Sequence, residues 1–285
     1  MQTEIKNKLE NILENVGDMG FKRRVFCIFD YLDIQANDVV LDCGCGEGFY
    51  TMVMNELFEC KITALDADEK LLNMAKGRVG NSTKVEFVKM DAQNLPFPDN
   101  AFDKIIFTEV LEHIPDEIAA LKELYRILKP GGVVALTVPS HNYPFLWDPL
   151  NKIREGLGLG HFKMDLLGGI WHMHIRLYYP EDLKQIIQKA GFKIDDSKGI
   201  LHYCLPFNQN ILRFFKLFYT SIPMPEAITS SMEKFDWKET IKKKQPWWNP
   251  IPLAKKILLW VDKKNDRVGN IENSSLCIAV KMRKI

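Results

Sequence analysis

"LDCGCGEGFY", residues 41–50, follows the apolar pair Val39-Val40 and opens into a helix-forming run. A short buried strand that ends in Gly-x-Gly-x-Gly and starts a helix brings bare backbone to the carboxyl edge of a sheet, where a small ligand can approach. A turn that holds a pyrophosphate has the spacing G-x-G-x-x-G, which sets the phosphates at the helix N-terminus. Here the glycines are Gly44, Gly46 and Gly48, Cys45 lies between the first two, and Asp42 precedes them all. A carboxylate in that place repels a pyrophosphate and suits a ligand carrying an ammonium and a sulfonium.

Working outward from the turn, strand and helix patterns alternate from residue 38 to about 138. "DVVLDC", "KITALD", "KVEFVKMD", "AFDKIIFTEV" and "VVALTVPS" read as five strands. "FYTMVMNELFE" and "DEKLLNMAKGRV" read as helices, the second with Asp68 as N-cap. "DEIAALKELYRILKPGG" reads as a helix closed by Lys129 in its last turn, then Pro130 and Gly131. Apolar strands alternating with helices predict a parallel sheet covered on both faces. A polar passage rich in glycine and histidine follows at 139–177, then a helix "PEDLKQIIQKAG" with Pro180 in its first turn, and a sixth strand, "FKIDDSKGI". The last strand, "SLCIAVKM", comes some 70 residues later, too far for a plain loop. Within that gap "NILRFFKLFY" and "LAKKILLWVDKK" read as amphipathic helices.

The chain of 285 residues is 46% hydrophobic, enough for a full core, yet no apolar run reaches the roughly 20 residues needed to span a bilayer. The N-terminal stretch is polar, without a signal-peptide core, and the six cysteines include no C-x-x-C pair. Both features lead us to expect a reduced, cytoplasmic protein. Net charge is +1, but residues 201–270 carry +6 and four of the six tryptophans, so the remainder is acidic. Lysines interleaved with aromatics suit a lipid-tailed molecule or peripheral membrane contact through 203–270. No nucleic-acid module accompanies them, and no nucleic acid is expected as a partner.

Asp66 ends the second strand, where a carboxylate takes ribose hydroxyls, and Asp91 ends the third, placed for an adenine amino group. With these acids the run 38–138 resembles the class I S-adenosylmethionine-dependent methyltransferases of the methyltransferase domain 11 type. The resemblance is carried by "VLDCGCGEG", "ALDADEKLLNMAK", "MDAQNLPFPDNAFDKII" and "LKELYRILKPGGVVALTVPS". It implies an α/β fold with a Rossmann-like seven-stranded sheet, mostly parallel with the last strand antiparallel. It further implies S-adenosyl-L-methionine as cofactor, contacted by Asp42, Gly44, Cys45, Gly46, Gly48, Asp66, Ala67, Asp91, Ala92 and Thr108. The expected organisation is an N-terminal helical cap at 1–36, a cofactor-binding core at 37–202 plus 271–285, and a basic, aromatic helical insertion at 203–270. The alternative reading is a non-methylating nucleotide-binding protein such as an NAD-dependent dehydrogenase, against which the glycine spacing and Asp42 argue.

Methyl transfer from a sulfonium is a single in-line displacement, so positioning and exclusion of water supply much of the catalysis. A base is needed only where the acceptor is a weak acid such as an alcohol. Glu109-x-x-Glu112-His113 follows the fourth strand; in a helix that spacing sets both carboxylates on one face. The pattern is similar to the E-x-x-E-H metal site of small-RNA 2′-O-methyltransferases and ubiquinone-pathway O-methyltransferases, with His141 available as a fourth ligand. We nevertheless expect no metal. His141, His161, His172 and His174 fall where this family builds its acceptor pocket, and in "WHMHIRLYYP" alternation puts His172 and His174 on one face with Arg176. His113, His141, His172 and His174 are the candidate catalytic residues. The expected acceptor is a small or lipid/isoprenoid-like molecule methylated at oxygen, with nitrogen or carbon as alternatives. A soluble enzyme acting on a small metabolite, with the insertion as its lid, is the competing reading.

Overall fold

Val39–Cys43 (β1) lies inside a seven-stranded sheet with Lys61–Asp66 (β2), Val85–Lys89 (β3), Phe102–Thr108 (β4), Leu128–Pro139 (β5), Lys193–Ile200 (β6) and Cys277–Arg283 (β7). The computed structural model describes residues 2–14, 16, 18–162, 169–171, 174–205, 251–269 and 271–285. The strand order is β3-β2-β1-β4-β5-β7-β6, and β7 runs antiparallel to both neighbours while the other pairs are parallel. Strand order reverses between β1 and β4, so the chain leaves these strands in opposite directions. That opens a crevice above their carboxyl ends.

Among the described residues the α-helices are α1 (Thr3–Ile12), α2 (Met19–Leu32), α3 (Phe49–Leu57), α4 (Glu69–Val79), α5 (Glu117–Ile127), α6 (Pro149–Gly156), α7 (Pro180–Lys189) and α8 (Ile251–Asp262). Alternation along β4 shows why both faces need cover: Ile106 packs with Ile28, Phe29 and Met54 of α2 and α3. Ile105 and Phe107 point the other way, onto Leu121 and Leu124 of α5 and Leu183 and Ile187 of α7. The expected cap at Asp68 is present, its side chain accepting from the Lys70 amide at 2.8 Å.

One sequence expectation is corrected, and two local features are added to the reading. The fifth helix ends at Ile127, and Leu128 is already extended, paired with Phe102 of β4. Lys129 bonds the Asp103 carboxylate at 2.8 Å, so "LKPGG" begins β5 where a helix stop was expected. The polar passage after β5 contains α6, whose N-cap Asp148 accepts from the Asn151 amide. Among the described residues of "WHMHIRLYYP", the pairing is one parallel bridge between Tyr178 and Ser140. "NILRFFKLFY" lies outside the described residues. The second insertion helix is α8, tied to α2 by Arg23, which bonds Asp262 at 2.5 Å and Asp266 at 2.6 Å. Ile200 and Cys277, which flank the insertion, pair beside Pro139, so the segment leaves and rejoins the sheet at the carboxyl edge of the parallel strands.

Candidate active site

The glycine turn is held from β2. The amides of Gly44 and Cys45 both donate to the Leu65 carbonyl at 2.8 Å, and the Gly46 amide donates to Asp66 Oδ2 at 2.8 Å. Gly44 and Gly48 have φ of 79° and 78°, in the left-handed region. A Cβ on Gly44 would lie 2.3 Å from Val110, and one on Gly48 2.6 Å from the Ala75 Cβ. Backbone conformation and close packing against β4's exit and α4 therefore both demand glycine. A Cβ on Gly46 would meet nothing within 4 Å, so this peptide faces open space.

Asp42 lies beneath the turn, 1% exposed, its Oδ2 accepting from Thr51 Oγ1 at 2.5 Å. Burial pushes its carboxyl up to about 7 despite the Thr51 hydrogen bonds, which pull the other way. Asp66 Oδ1 accepts from the Asp68 amide at 2.8 Å, and the neighbouring Ala67 is exposed. Asp91 is exposed and caps its own turn through the Gln93 amide at 2.9 Å, with Ala92 buried behind it. Thr108 closes β4, half-buried and paired with Thr137 of β5. All these groups line the carboxyl ends of β1 to β4.

The exit of β4 departs from the helix that the spacing suggested. Glu109 has φ 54°, outside the short 3-10 turn Leu111–His113, so its carboxylate does not share a helix face with Glu112. Arg24 of α2 takes Glu109 instead, at 2.9 Å, and Thr137 Oγ1 donates to it at 3.0 Å. Burial disfavours the Arg24 charge, but Glu109 more than offsets this and holds the guanidinium above its ordinary range. Glu112 is fully buried and neither of its oxygens has a hydrogen-bond partner. Burial, then the Glu109 charge, raises its pKa well above the carboxylate range. His113 Nε2 and His174 Nε2 stand 3.8 and 3.7 Å from Glu112 Oε1, and the two rings are 5.0 Å apart. His174, 61 residues after His113, is the neighbour that spacing did not reveal.

His141 does not join this cluster as the suggested fourth ligand. It stacks on Tyr179 with centroids 4.3 Å apart and meets the edge of Trp171 at 6.0 Å. Burial and Lys152 lower its pKa, against the pull of Glu155, so it is a neutral imidazole at pH 7. His161 lies against Trp171 at 3.7 Å and 3.0 Å from Glu155, which also accepts from Tyr143, Lys152 and Trp171. That hub fastens the passage after β5 and engages His161. His172 lies outside the described residues. Thr51, Arg24 and Glu155 were missed by sequence reasoning; the basic run Lys22-Arg23-Arg24 in the largely apolar α2 is the signal that pointed to one of them.

A family profile described as a methyltransferase domain matches residues 41–136. The chain is 36% identical over 213 residues to a protein named demethylmenaquinone methyltransferase from Staphylococcus epidermidis, spanning 73% of this chain and 83% of that one. A relative of the same name from Staphylococcus aureus is 29% identical over 199 residues, spanning 65% and 79%. Among solved structures, Haemonchus contortus phosphoethanolamine N-methyltransferase 2 in complex with S-adenosyl-L-methionine aligns with TM-score 0.54 at 18% identity. It covers 98% of this chain and 57% of that chain, a likeness of fold.

Proposed function

The chain belongs to the class I S-adenosylmethionine-dependent methyltransferases, and we propose that its acceptor is a hydroxylated planar ring carrying an apolar, isoprenoid-like tail. Its cofactor is S-adenosylmethionine, which supplies an electrophilic methyl group when bound. The dehydrogenase alternative falls with that membership. The residues at the strand ends suit this cofactor: buried Asp42 calls for a cation such as an ammonium, the open face of Gly46 admits it, and Asp66 is at hand for ribose hydroxyls.

One observation supports the ring. At the carboxyl end of β5, His141, Tyr179 and Trp171 form an aromatic wall, and the nearby sequence adds the buried Tyr143 and Trp147. Planar rings stack on such a wall. The neutral His141 takes the acceptor's hydroxyl proton at Nε2, which lies 3.4 Å from the Tyr179 hydroxyl. The resulting oxyanion shares its charge between oxygen and ring carbon. Oxygen is the expected acceptor atom, and the same base serves methylation at carbon.

The names of the Staphylococcus relatives, and the aromatics interleaved with lysines in residues 203–270, support an apolar tail. No helix among the described residues is long and apolar enough to cross a membrane. We propose that contact with lipid is peripheral, through 203–270, where Ile257 and Trp260 of α8 are exposed. The experiment compares kcat/KM for a prenylated hydroquinone and its tail-less ring, with His141→Asn alongside. Each buried methylene contributes about 0.8 kcal/mol, so one prenyl unit should raise kcat/KM at least tenfold. Equal rates with and without the tail would favour the soluble small-metabolite enzyme.

A further inference from the structure

Against the expectation of no metal drawn from the sequence, we infer that Glu112, His113 and His174 bind one divalent transition-metal ion, with Zn²⁺ the best match. A fully buried carboxylate with no hydrogen-bond partner on either oxygen is costly unless a cation or proton accompanies it. Two imidazole nitrogens face the same oxygen, Glu112 Oε1, at 3.7 and 3.8 Å. Those separations are too long for hydrogen bonds. They are close to the spacing of two ligands around one ion, roughly 3.3–3.4 Å for tetrahedral bonds of about 2.0–2.1 Å. The three ligand atoms all lie within 4.8 Å of one another, so closure needs inward shifts of a few tenths of an ångström on average.

The surroundings select the nitrogen that would ligate. His174 Nδ1 is 2.6 Å from the Ile170 carbonyl, which fixes Nδ1 as the protonated nitrogen and turns the Nε2 lone pair toward Glu112. Metal-bound histidines are oriented by such an outer hydrogen bond. Ile170 is itself anchored, its amide donating to buried Asp148 at 3.3 Å. The Ile175 amide donates to the Glu112 carbonyl at 3.3 Å, which fastens the His174 segment to the turn after β4. Glu109 is engaged by Arg24 and Thr137, so the ligand set is two histidines and one carboxylate. Imidazole-rich sites favour Zn²⁺ and its neighbours over Mg²⁺ or Ca²⁺. His113 is 40% exposed, which gives the ion a way in from solvent and leaves a coordination position open. This assignment does not depend on the acceptor proposed above.

The test uses the full-length protein, dialysed against chelator and titrated with Zn²⁺, Mg²⁺ and Co²⁺. One equivalent of Zn²⁺ should bind, at least a hundredfold more tightly than Mg²⁺, and Co²⁺ should give the visible d–d absorption of a low-coordinate nitrogen/oxygen site. Glu112→Gln and His174→Ala should each weaken Zn²⁺ binding by about a hundredfold or more, and His141→Asn should leave it unchanged. The inference is overturned if no stoichiometric Zn²⁺ binds, or if Mg²⁺ binds equally well. A thiolate-to-cobalt charge-transfer band would place the ion on cysteines and overturn it too, and this readout on the wild type does not depend on any variant folding.

Discussion

If Asp42 receives the cofactor's ammonium, as proposed, it couples cofactor affinity to pH. Its carboxyl is pushed up to about 7 by burial, so at pH 6 about nine-tenths of the free protein holds a proton there. A cofactor ammonium requires the carboxylate form, and binding must expel that proton. For a free-state value of about 7, affinity should fall about eightfold between pH 7.5 and pH 6, with close to one proton released per cofactor bound at the lower pH. The stability of the free protein moves in the related sense. A folded-state value raised above the unfolded one of about 3.9 means that the native state holds the extra proton between pH 4 and 7. Stability is then full below pH 4 as far as this group is concerned, and is lost as pH rises through 7, by on the order of 4 kcal/mol. Asp42→Asn should therefore raise the Tm of the free protein at pH 8 and leave it little changed at pH 4.5, while weakening cofactor binding and flattening its pH dependence. Calorimetry in two buffers of different ionisation enthalpy counts the protons. Equal affinity at both pH values, with no buffer-dependent heat in the wild type, would refute the reasoning.

Gly48→Ala forces a Cβ to within 2.6 Å of Ala75 at a left-handed φ, and should cost about 2–3 kcal/mol in a urea titration, together with the cofactor site. Arg24→Met leaves Glu109 half-buried without its cation, and a loss of about 3 kcal/mol is expected by chemical denaturation; the double variant Arg24→Met/Glu109→Gln should recover much of it. Glu155→Gln weakens the hub that gathers Tyr143, Lys152, His161 and Trp171; activity should fall more than global stability, with amide exchange quickening across 141–162.

The sheet was legible because its signals are local. β2 coincides with "KITALD", and the cap at Asp68 and the first-turn Pro180 were plain from neighbouring residues. The acids at strand ends were found for the same reason, since topology alone carries successive strand ends to one edge. Long-range pairing defeated the rest. Lys-Pro-Gly is a helix stop by every local rule, yet the strand begins earlier because Leu128 pairs with Phe102 and Lys129 reaches Asp103. Glu109-x-x-Glu112 has helical spacing, but Arg24, 85 positions away, claims Glu109 in a left-handed conformation. His174 meets Glu112 across 62 positions, and no periodicity in "WHMHIRLYYP" reports that contact. α6 escaped notice because the residues it buries are Pro149 and Asn151, held by Asp148, in place of an apolar stripe.

The central claim is that this methyltransferase acts on an apolar, ring-bearing acceptor. It is tested most directly by incubating the enzyme with methyl-labelled S-adenosylmethionine and a total lipid extract, then analysing both phases by mass spectrometry. The account predicts label in an organic-phase product with a hydroxylated ring, reduced at least tenfold by Asp66→Ala at subsaturating cofactor, through loss of charge-assisted bonds of about 1.5–3 kcal/mol. Label confined to water-soluble metabolites, or cofactor turnover that Asp66→Ala leaves unchanged, would contradict it.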